Sequence, residues 1–113
     1  MRITIPAALA ALITVLPIAA HAQTGVASVY STHESGSRTA SGIPLRDGAL
    51  TAASKELPLR SHARVTNLRN HRSIIVRIID RGPYIHGRII DLTIAAARML
   101  GVDGLAPVRV ERI

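Results

Sequence analysis

The stretch SIIVRIIDRGPY, residues 73–84, decides how this chain folds. Its first seven residues are rich in β-branched apolar side chains, which is typical of a buried strand. Gly82 and Pro83 then turn the chain, because proline is excluded from the middle of a sheet and glycine permits a tight turn. The strand therefore delivers one carboxylate, Asp80, to a rim of the fold, which is where a catalytic acid is expected.

A second stretch, RIIDLT at residues 88–93, repeats the pattern of an apolar pair, a carboxylate and a change of direction. Thr93 is a suitable N-cap for a helix from Ile94 to Leu100, and Gly101 suits the position just past the end of that helix. Asp91 is expected to complement the positive end of the helix dipole. Two carboxylates, Asp80 and Asp91, thus flank one loop.

The rest of the chain reads as short strands separated by turns. A long polar loop rich in Ser and Gly is expected from Thr32 to Gly48, and Leu57-Pro58-Leu59 reads as an extended connection. The pattern predicts an all-β fold, a small barrel with one short α-helix, whose further strands are expected at Gly25–Ser31, Ala49–Ala53, Ala63–Leu68 and Val108–Ile113.

The first 22 residues read as a secretory signal peptide. A basic Arg2 precedes an apolar run, and Ala20-His21-Ala22 is a small-x-small cleavage site. The alternative is an uncleaved membrane anchor, since the run is nearly long enough to span a bilayer. Cleavage after Ala22 leaves a single domain, residues 23–113. The chain has no cysteine, so we expect an exported protein, periplasmic or secreted, without a lipid anchor or disulfides.

The net charge of the chain is +7, and removal of Arg2 with the leader lowers it to +6. A basic surface favours an anionic partner, although it also serves solubility alone. Nucleic acid is disfavoured by export and by the scarcity of rings for base stacking, since Tyr30 and Tyr84 are the only aromatic residues. Without cysteine or a close histidine pair, we expect neither a metal site nor a cofactor.

Several motifs occur in one order over most of residues 23–113, and together they resemble the RlpA-like (rare lipoprotein A) double-psi β-barrels, which are related in fold to expansins. The segments that carry this resemblance are GVAS at 25–28 with Tyr30, Gly36, TASG at 39–42, ALTAA at 49–53, LPL at 57–59, RVTNL at 64–68, DRGPY at 80–84 and RIIDL at 88–92.

The resemblance implies a six-stranded double-psi barrel that cleaves peptidoglycan glycan strands, preferably those without stem peptides. In such lytic transglycosylases the C6 hydroxyl of MurNAc attacks the anomeric carbon of its own ring and leaves a 1,6-anhydro end. Because no water has to be activated, a single acid/base carboxylate suffices. Asp80 matches the carboxylate of the family's Asp-Arg-Gly-Pro motif.

The candidate catalytic residue is therefore Asp80, with the alternative that its carboxylate ties the Gly82-Pro83 corner by accepting backbone N–H bonds. The candidate substrate-binding residues are Tyr30, Arg38, Thr39, Arg81, Tyr84 and Asp91. Arginines suit the lactyl carboxylates of muramic acid, and Arg88 and Arg46 are further candidates for that contact. The two tyrosines are either walls of a sugar groove or large core fillers.

The sequence departs from the family pattern at two polar positions. Ile43 stands where a Glu often follows Thr-Ala-Ser-Gly, and Ser54 stands where a His often follows Leu-Thr-Ala-Ala. These departures keep open a non-catalytic, expansin-like module that binds or loosens the cell wall. A secreted basic effector that binds an acidic protein is a third hypothesis. In each case we expect a monomer.

Overall fold

The computed structural model describes residues 22–113, so the predicted leader, apart from Ala22, lies outside the described residues. Within these residues, six strands and two helices follow one another in the order β1 (Ala22–Val29), α1 (Thr32–Ser35), β2 (Thr51–Ala53), β3 (His62–Asn67), β4 (Ser73–Asp80), β5 (Arg88–Leu92), α2 (Ile94–Leu100) and β6 (Ala106–Arg112).

The six strands close into a barrel in the order β1-β5-β2-β4-β3-β6. The pairs β1–β5 and β2–β4 are parallel, and the other four pairs are antiparallel. Side chains alternate between the interior and the outer face along each strand. The interior is filled by apolar residues with no exposed surface, among them Val65, Val76, Ile78, Ile90, Leu92 and Val108. This architecture confirms the predicted six-stranded barrel.

Helix α2 packs onto the same core through Ala96, Ala97 and Leu100. The predicted caps are confirmed. The hydroxyl of Thr93 accepts from the Ala96 N–H at 3.3 Å, and Gly101 has the left-handed φ of 75° that glycine tolerates without strain. Because Thr93 also donates to the Ala49 carbonyl at 2.6 Å, the cap fixes the helix to the loop before β2.

Each parallel pair contains a β-bulge next to a carboxylate. Between β2 and β4, Ala52 pairs with Ile78 and Ala53 with Asp80, so Ile79 is the extra residue. Between β1 and β5 the register skips Ile89 in the same way. A Cβ at Gly25 would lie 2.6 Å from the Ile89 Cγ2, which is why the strand facing this second bulge carries glycine.

The segment predicted as one long loop differs from expectation, because it contains α1, so residues 22–113 hold two helices where one was expected. The Asp47 carboxylate holds this single turn by accepting from the Thr32 N–H and hydroxyl, both at 2.9 Å. The loop covers part of the outer face of the barrel. There Tyr30, Leu45, Ala53 and Ile79, with Ile43 packed against them, form a second apolar cluster, called here the outer cluster.

The predicted strands exist, and their ends differ from the prediction by at most three residues. Strand β1 begins at Ala22, which pairs with β6, and β6 begins at Ala106, which pairs with β1. Strand β2 is only three residues long. Leu57–Leu59 lies in a bend and turn rather than in an extended segment. No helix among residues 22–113 is both long and apolar enough to cross a membrane.

Candidate functional site

Four residues on neighbouring strands form a row across the outer face of the barrel. Ala53 on β2 pairs with Asp80 on β4 and with Asp91 on β5, and Asp91 pairs in turn with Ser28 on β1. Directly paired residues project to the same face of a sheet. The two carboxylates therefore share one face, separated by the small side chain of Ala53. Sequence predicted that Asp80 and Asp91 flank one loop, and the sheet register brings them together.

Asp80 is the last residue of β4 and is half-buried. Its Oδ1 accepts from the backbone N–H groups of Ala40 and Arg81, each at 2.9 Å. The backbone carbonyl of Asp80 accepts from the Ser54 N–H at 3.0 Å. No residue in 22–113 donates to Oδ2. One oxygen thus anchors the carboxylate to the 39–42 loop, while the other remains available to a ligand.

Asp91 lies inside β5 and is also half-buried. Its Oδ1 accepts from the Ser28 hydroxyl. Burial raises the pKa of Asp91, and the Ser28 hydrogen bond and the charge of Arg88 only partly offset this, while Asp80 and Glu34 add to the rise. The N-cap of α2 is Thr93, and the Asp91 carboxylate is oriented by Ser28 on β1.

The corner between the two carboxylates is built from Gly82 and Pro83, which are joined by a cis peptide bond. Gly82 has a φ of 122°, and the position of a Cβ there is 3.6 Å from the Tyr84 Cε2 and 3.9 Å from the Asp91 Oδ2. A side chain at residue 82 would be strained by this positive φ, although its Cβ would make only ordinary van der Waals contacts with both groups. Tyr84 is 75% exposed, so it offers an open ring beside Asp91 and is not a core filler.

Tyr30 behaves in the opposite way, because it is a member of the outer cluster and only 9% exposed. Its hydroxyl is buried and has no hydrogen-bond partner among residues 22–113. Burial, followed by the charges of Asp80 and Asp91, raises the pKa of Tyr30 and keeps the phenol protonated. The ring of Tyr30 thus fills space beneath the site, which favours the hypothesis that Tyr30 is a core filler over the hypothesis that it is a wall of a sugar groove.

The polar residues predicted to bind substrate do not all converge on the carboxylates. Arg81 Nη1 donates to the Ser54 carbonyl at 2.9 Å and to the Leu57 carbonyl at 2.7 Å, so it braces the loop after β2. The Thr39 hydroxyl donates to the Ile43 carbonyl at 2.6 Å and stabilises the 39–43 turn. Arg38 is exposed on the same loop.

The two departures from the family pattern have structural roles in this chain. Ile43 packs against the outer cluster. Ser54 is buried, and its hydroxyl accepts from the backbone N–H groups of Glu56 at 3.3 Å and Leu57 at 3.1 Å. Both positions therefore stabilise loops around the site instead of adding a polar group beside Asp80.

Sequence reasoning missed Ser28 and Asp47. Ser28 is the one side chain in residues 22–113 that donates to Asp91, and Asp47 holds α1 in place. The motif around Ser28 was visible, but nothing in the sequence gave the register that pairs it with Asp91. Within residues 22–113, no group of three or more His, Asp or Glu side chains is arranged to hold a metal ion.

The family model described as "Lytic transglycolase" matches residues 22–110 of this chain. Among curated proteins, the endolytic peptidoglycan transglycosylase RlpA of Pasteurella multocida is 53% identical over 82% of the chain, and that of Pseudomonas aeruginosa is 49% identical over 83%. The matches cover 32% and 28% of those proteins, so the chain spans about a third of the length of the curated relatives.

Two solved structures share the fold at low sequence identity. The expansin of Clavibacter michiganensis is 19% identical, with a TM-score of 0.63 over 81% of this chain and 50% of that one. The Streptomyces papain inhibitor is 22% identical, with a TM-score of 0.63 over 81% of this chain and 94% of that one. At these identities the likeness shows the fold alone.

Proposed function

The chain belongs to the lytic transglycolase family of double-psi β-barrels, as its sequence predicted, and we propose that it cleaves the MurNAc-GlcNAc bond of peptidoglycan glycan strands to leave 1,6-anhydro-MurNAc ends. The observation that carries this proposal is the pair of carboxylates on one outer face, Asp80 and Asp91, at either side of Ala53. The exposed ring of Tyr84 lies beside them as a platform for a sugar face.

In the proposed reaction Asp80 is the general acid and base. It gives its proton to the leaving GlcNAc oxygen as the bond from that oxygen to the MurNAc anomeric carbon breaks. It then takes the proton of the MurNAc C6 hydroxyl as that oxygen bonds to the same carbon. The Asp80 Oδ2, which accepts no hydrogen bond from residues 22–113, is the oxygen placed to exchange the proton.

Asp91 contributes its negative charge in this proposal. The transition state of glycosidic cleavage resembles an oxocarbenium ion, so a second carboxylate nearby stabilises it. The Ser28 hydroxyl supports the ionised form of Asp91. The raised pKa of Asp91 favours the opposite assignment, in which Asp91 carries the proton. The Asp-Arg-Gly-Pro motif and the available Oδ2 favour Asp80.

We further propose that residues 1–22 are a cleaved leader and that residues 23–113 act on the glycan outside the cytoplasm, in the periplasm or the medium, as a monomer without a lipid anchor. The proposal that the protein has no lipid anchor is supported by the sequence, which contains no cysteine thiol to accept a lipid. The proposed partner is the glycan strand, whose anionic groups suit the net charge of +6 that remains once Arg2 is removed with the leader.

The alternative is a non-catalytic wall-binding or wall-loosening module. It is less supported, because the likeness to expansin is structural at 19% identity, whereas the relatives at about half identity are named transglycosylases. Ile43 and Ser54 remain its basis, since neither adds a polar group beside Asp80.

The test is mass spectrometry of stem-free glycan strands after incubation with the protein. We expect fragments with anhydro ends, 18 mass units lighter than hydrolysis products because no water is added. Asp103→Asn is the matched control for Asp80→Asn, since Asp103 is exposed and lies in the segment between α2 and β6. Intact strands after incubation with well-folded wild-type protein would favour the wall-binding module instead.

A further inference from the structure

Three arginines form a diagonal stripe on the outer face of β6, β3 and β4, away from the carboxylate row. Arg64 lies on the central strand β3, directly between Glu111 on β6 and Ile75 on β4. Arg109 on β6 is opposite Thr66, and Arg77 on β4 is opposite His62. Each neighbouring pair of these arginines is therefore a diagonal neighbour, about 7–8 Å apart. We call Arg109, Arg64 and Arg77 the arginine stripe.

Two of the three arginines of the stripe, Arg64 and Arg109, are exposed to solvent. Arg64 is exposed, Arg77 is half-buried, and the side chain of Arg109 is 49% exposed. Among residues 22–113, the acidic side chain in contact with the stripe is Glu111, and its contact with Arg109 is a long one, 4.0 Å. The stripe thus keeps a net positive charge. Asp80 and Asp91 lie outside the stripe, beside Ala53 on β2.

Arg60 connects this stripe to the carboxylate row. Its backbone N–H donates to the Ile78 carbonyl at 2.6 Å, which places it one step beyond Arg77 along β4. Its Nη2 donates to the Ser41 carbonyl at 2.9 Å. Ser41 follows Ala40, whose N–H donates to Asp80. A line of arginine residues therefore runs from β6 to the loop that holds the proposed catalytic carboxylate.

We propose that the arginine stripe and Arg60 bind the lactyl carboxylates of a stem-free glycan strand where it extends beyond the cleavage site. This rests on the proposed function, and it adds to it the residues outside the carboxylate row that contact the strand. In a strand that carries stem peptides, the lactyl carboxyl is consumed in an amide bond. It is a free anion only after the peptide is removed, once per disaccharide. Guanidinium groups bind such carboxylates with paired hydrogen bonds.

Each contact is weak and their number gives the selectivity. An exposed ion pair strengthens binding by about two- to fivefold. Contacts along one strand act together, because the first holds the others at high local concentration. Discrimination is therefore expected to grow with strand length, and a tetrasaccharide that fills only the cleavage site should not sense the stripe.

The experiment measures fluorescence anisotropy of end-labelled, stem-free strands with Arg64→Gln/Arg109→Gln. An Asp80→Asn background keeps the strands intact during the measurement. The matched control is Arg69→Gln/Arg98→Gln, which removes the same charge from two exposed positions outside the stripe. Thermal unfolding checks that each variant is folded. Arg64→Lys/Arg109→Lys retains the charge and removes the paired hydrogen bonds.

We expect the Gln pair to bind long strands about 4- to 25-fold more weakly than the control pair, with the Lys pair in between. A tetrasaccharide should bind all variants alike. The Asp80→Asn protein with an intact stripe should lose a similar factor when the lactyl carboxylates of the strand are converted to amides. Equal loss in the control pair, or equal binding of native and amidated strands, would overturn the proposal and leave a general attraction to polyanions.

Failure of this inference is distinguishable from failure of the proposed function. If strands are cleaved but the stripe variants bind like the control, the cleavage activity stands and the stripe has no role. If binding depends on the stripe and on the lactyl carboxylates but no strand is cleaved, the stripe is supported and the chain is a glycan-binding module.

Discussion

Asp80 and Asp91 come from nearly the same local sequence, an apolar pair followed by a carboxylate, and both follow a bulge in a parallel strand pair. Their surroundings nevertheless differ. Asp80 ends its strand and accepts two backbone N–H bonds on one oxygen. Asp91 lies within its strand, accepts from one hydroxyl and has its pKa raised by burial. One pattern of sequence thus gives two carboxylates with different chemistry.

The difference arises from what the rest of the fold brings to each carboxylate. A loop with available N–H groups, residues 39–42, packs against the end of β4, whereas a strand side chain, Ser28, faces β5. Backbone donors orient a carboxylate at a rim, and a partly buried position changes the balance between its ionised and neutral forms. The four predictions below test whether this contrast separates catalysis from stabilisation.

The largest effect is expected for Asp80→Asn. The amide oxygen still accepts from Ala40 and Arg81, but the side chain neither donates nor recovers a proton during cleavage. Release of anhydro-ended fragments should fall by about 10²–10⁴-fold, with thermal stability and glycan binding close to wild type. If Asp80 serves only to anchor the loop, the variant should instead lose roughly 1–3 kcal/mol of stability, and activity should follow the folded fraction.

A smaller loss of activity is expected for Asp91→Asn. Removal of a negative charge near the reacting carbon should slow cleavage by about 10- to 100-fold. Two opposite charges about 4 Å apart attract each other by a few kcal/mol at the effective dielectric of a protein surface, so the Asp91 carboxylate would stabilise the positive charge of the transition state. The measurement is the initial rate on stem-free strands, compared with Asp80→Asn at equal folded concentration. A larger loss for Asp91→Asn than for Asp80→Asn would reverse the two roles and make Asp91 the proton donor.

Ser28→Ala tests the hydrogen bond that distinguishes Asp91. Loss of a donor to an ionised group usually costs more than loss of a neutral bond, but solvent at the half-buried carboxylate reduces the effect, so we expect about 1 kcal/mol of stability at neutral pH. The pKa of Asp91 should rise further. Urea unfolding of Ser28→Ala, Asp91→Asn and the double variant forms a cycle that isolates this pair. Additive effects would mean that the hydrogen bond contributes nothing.

Much of the fold could be predicted from the sequence because its local signals agree. The β-branched run of β4, the Gly82-Pro83 corner and the Thr93 cap each predict a structural feature that the fold contains. Helix α1 was missed because its four residues carry no hydrophobic periodicity and depend on the distant Asp47 carboxylate. Strand β2 begins two residues later than predicted, because the apolar Ala49 and Leu50 carry no local signal of where strand pairing starts.

The site was less predictable because it depends on register. Spacing alone could place Asp80 and Asp91 at one loop, but the row through Ala53 exists only because two bulges realign the strands. For the same reason Arg81 was expected at the substrate, although its guanidinium is used by two loop carbonyls. The arginines of the stripe, spread from residue 64 to residue 109, have no sequence pattern in common.

The smallest effect concerns stability against pH. In the unfolded chain Asp91 titrates near its ordinary value of about 4, and burial raises its pKa in the folded protein. Between these two values the folded protein binds more protons than the unfolded chain, so this carboxyl lowers the free energy of unfolding as pH rises through that window. Asp91→Asn should therefore match the wild type below about pH 4 and gain stability relative to it above that window.

The gain should be modest, because solvent reaches a half-buried carboxylate and screens its charge. Urea unfolding of wild type, Asp91→Asn and the exposed control Asp103→Asn across this pH range measures it, with the control subtracting the general effect of a lost negative charge. If Asp91→Asn instead becomes less stable than wild type as pH rises, the Ser28 hydrogen bond to the ionised carboxylate outweighs its burial. The Ser28 hydrogen bond would then stabilise the ionised form of Asp91, as the backbone N–H groups of Ala40 and Arg81 bind the Asp80 carboxylate. The two carboxylates would then differ only in their position in the strand.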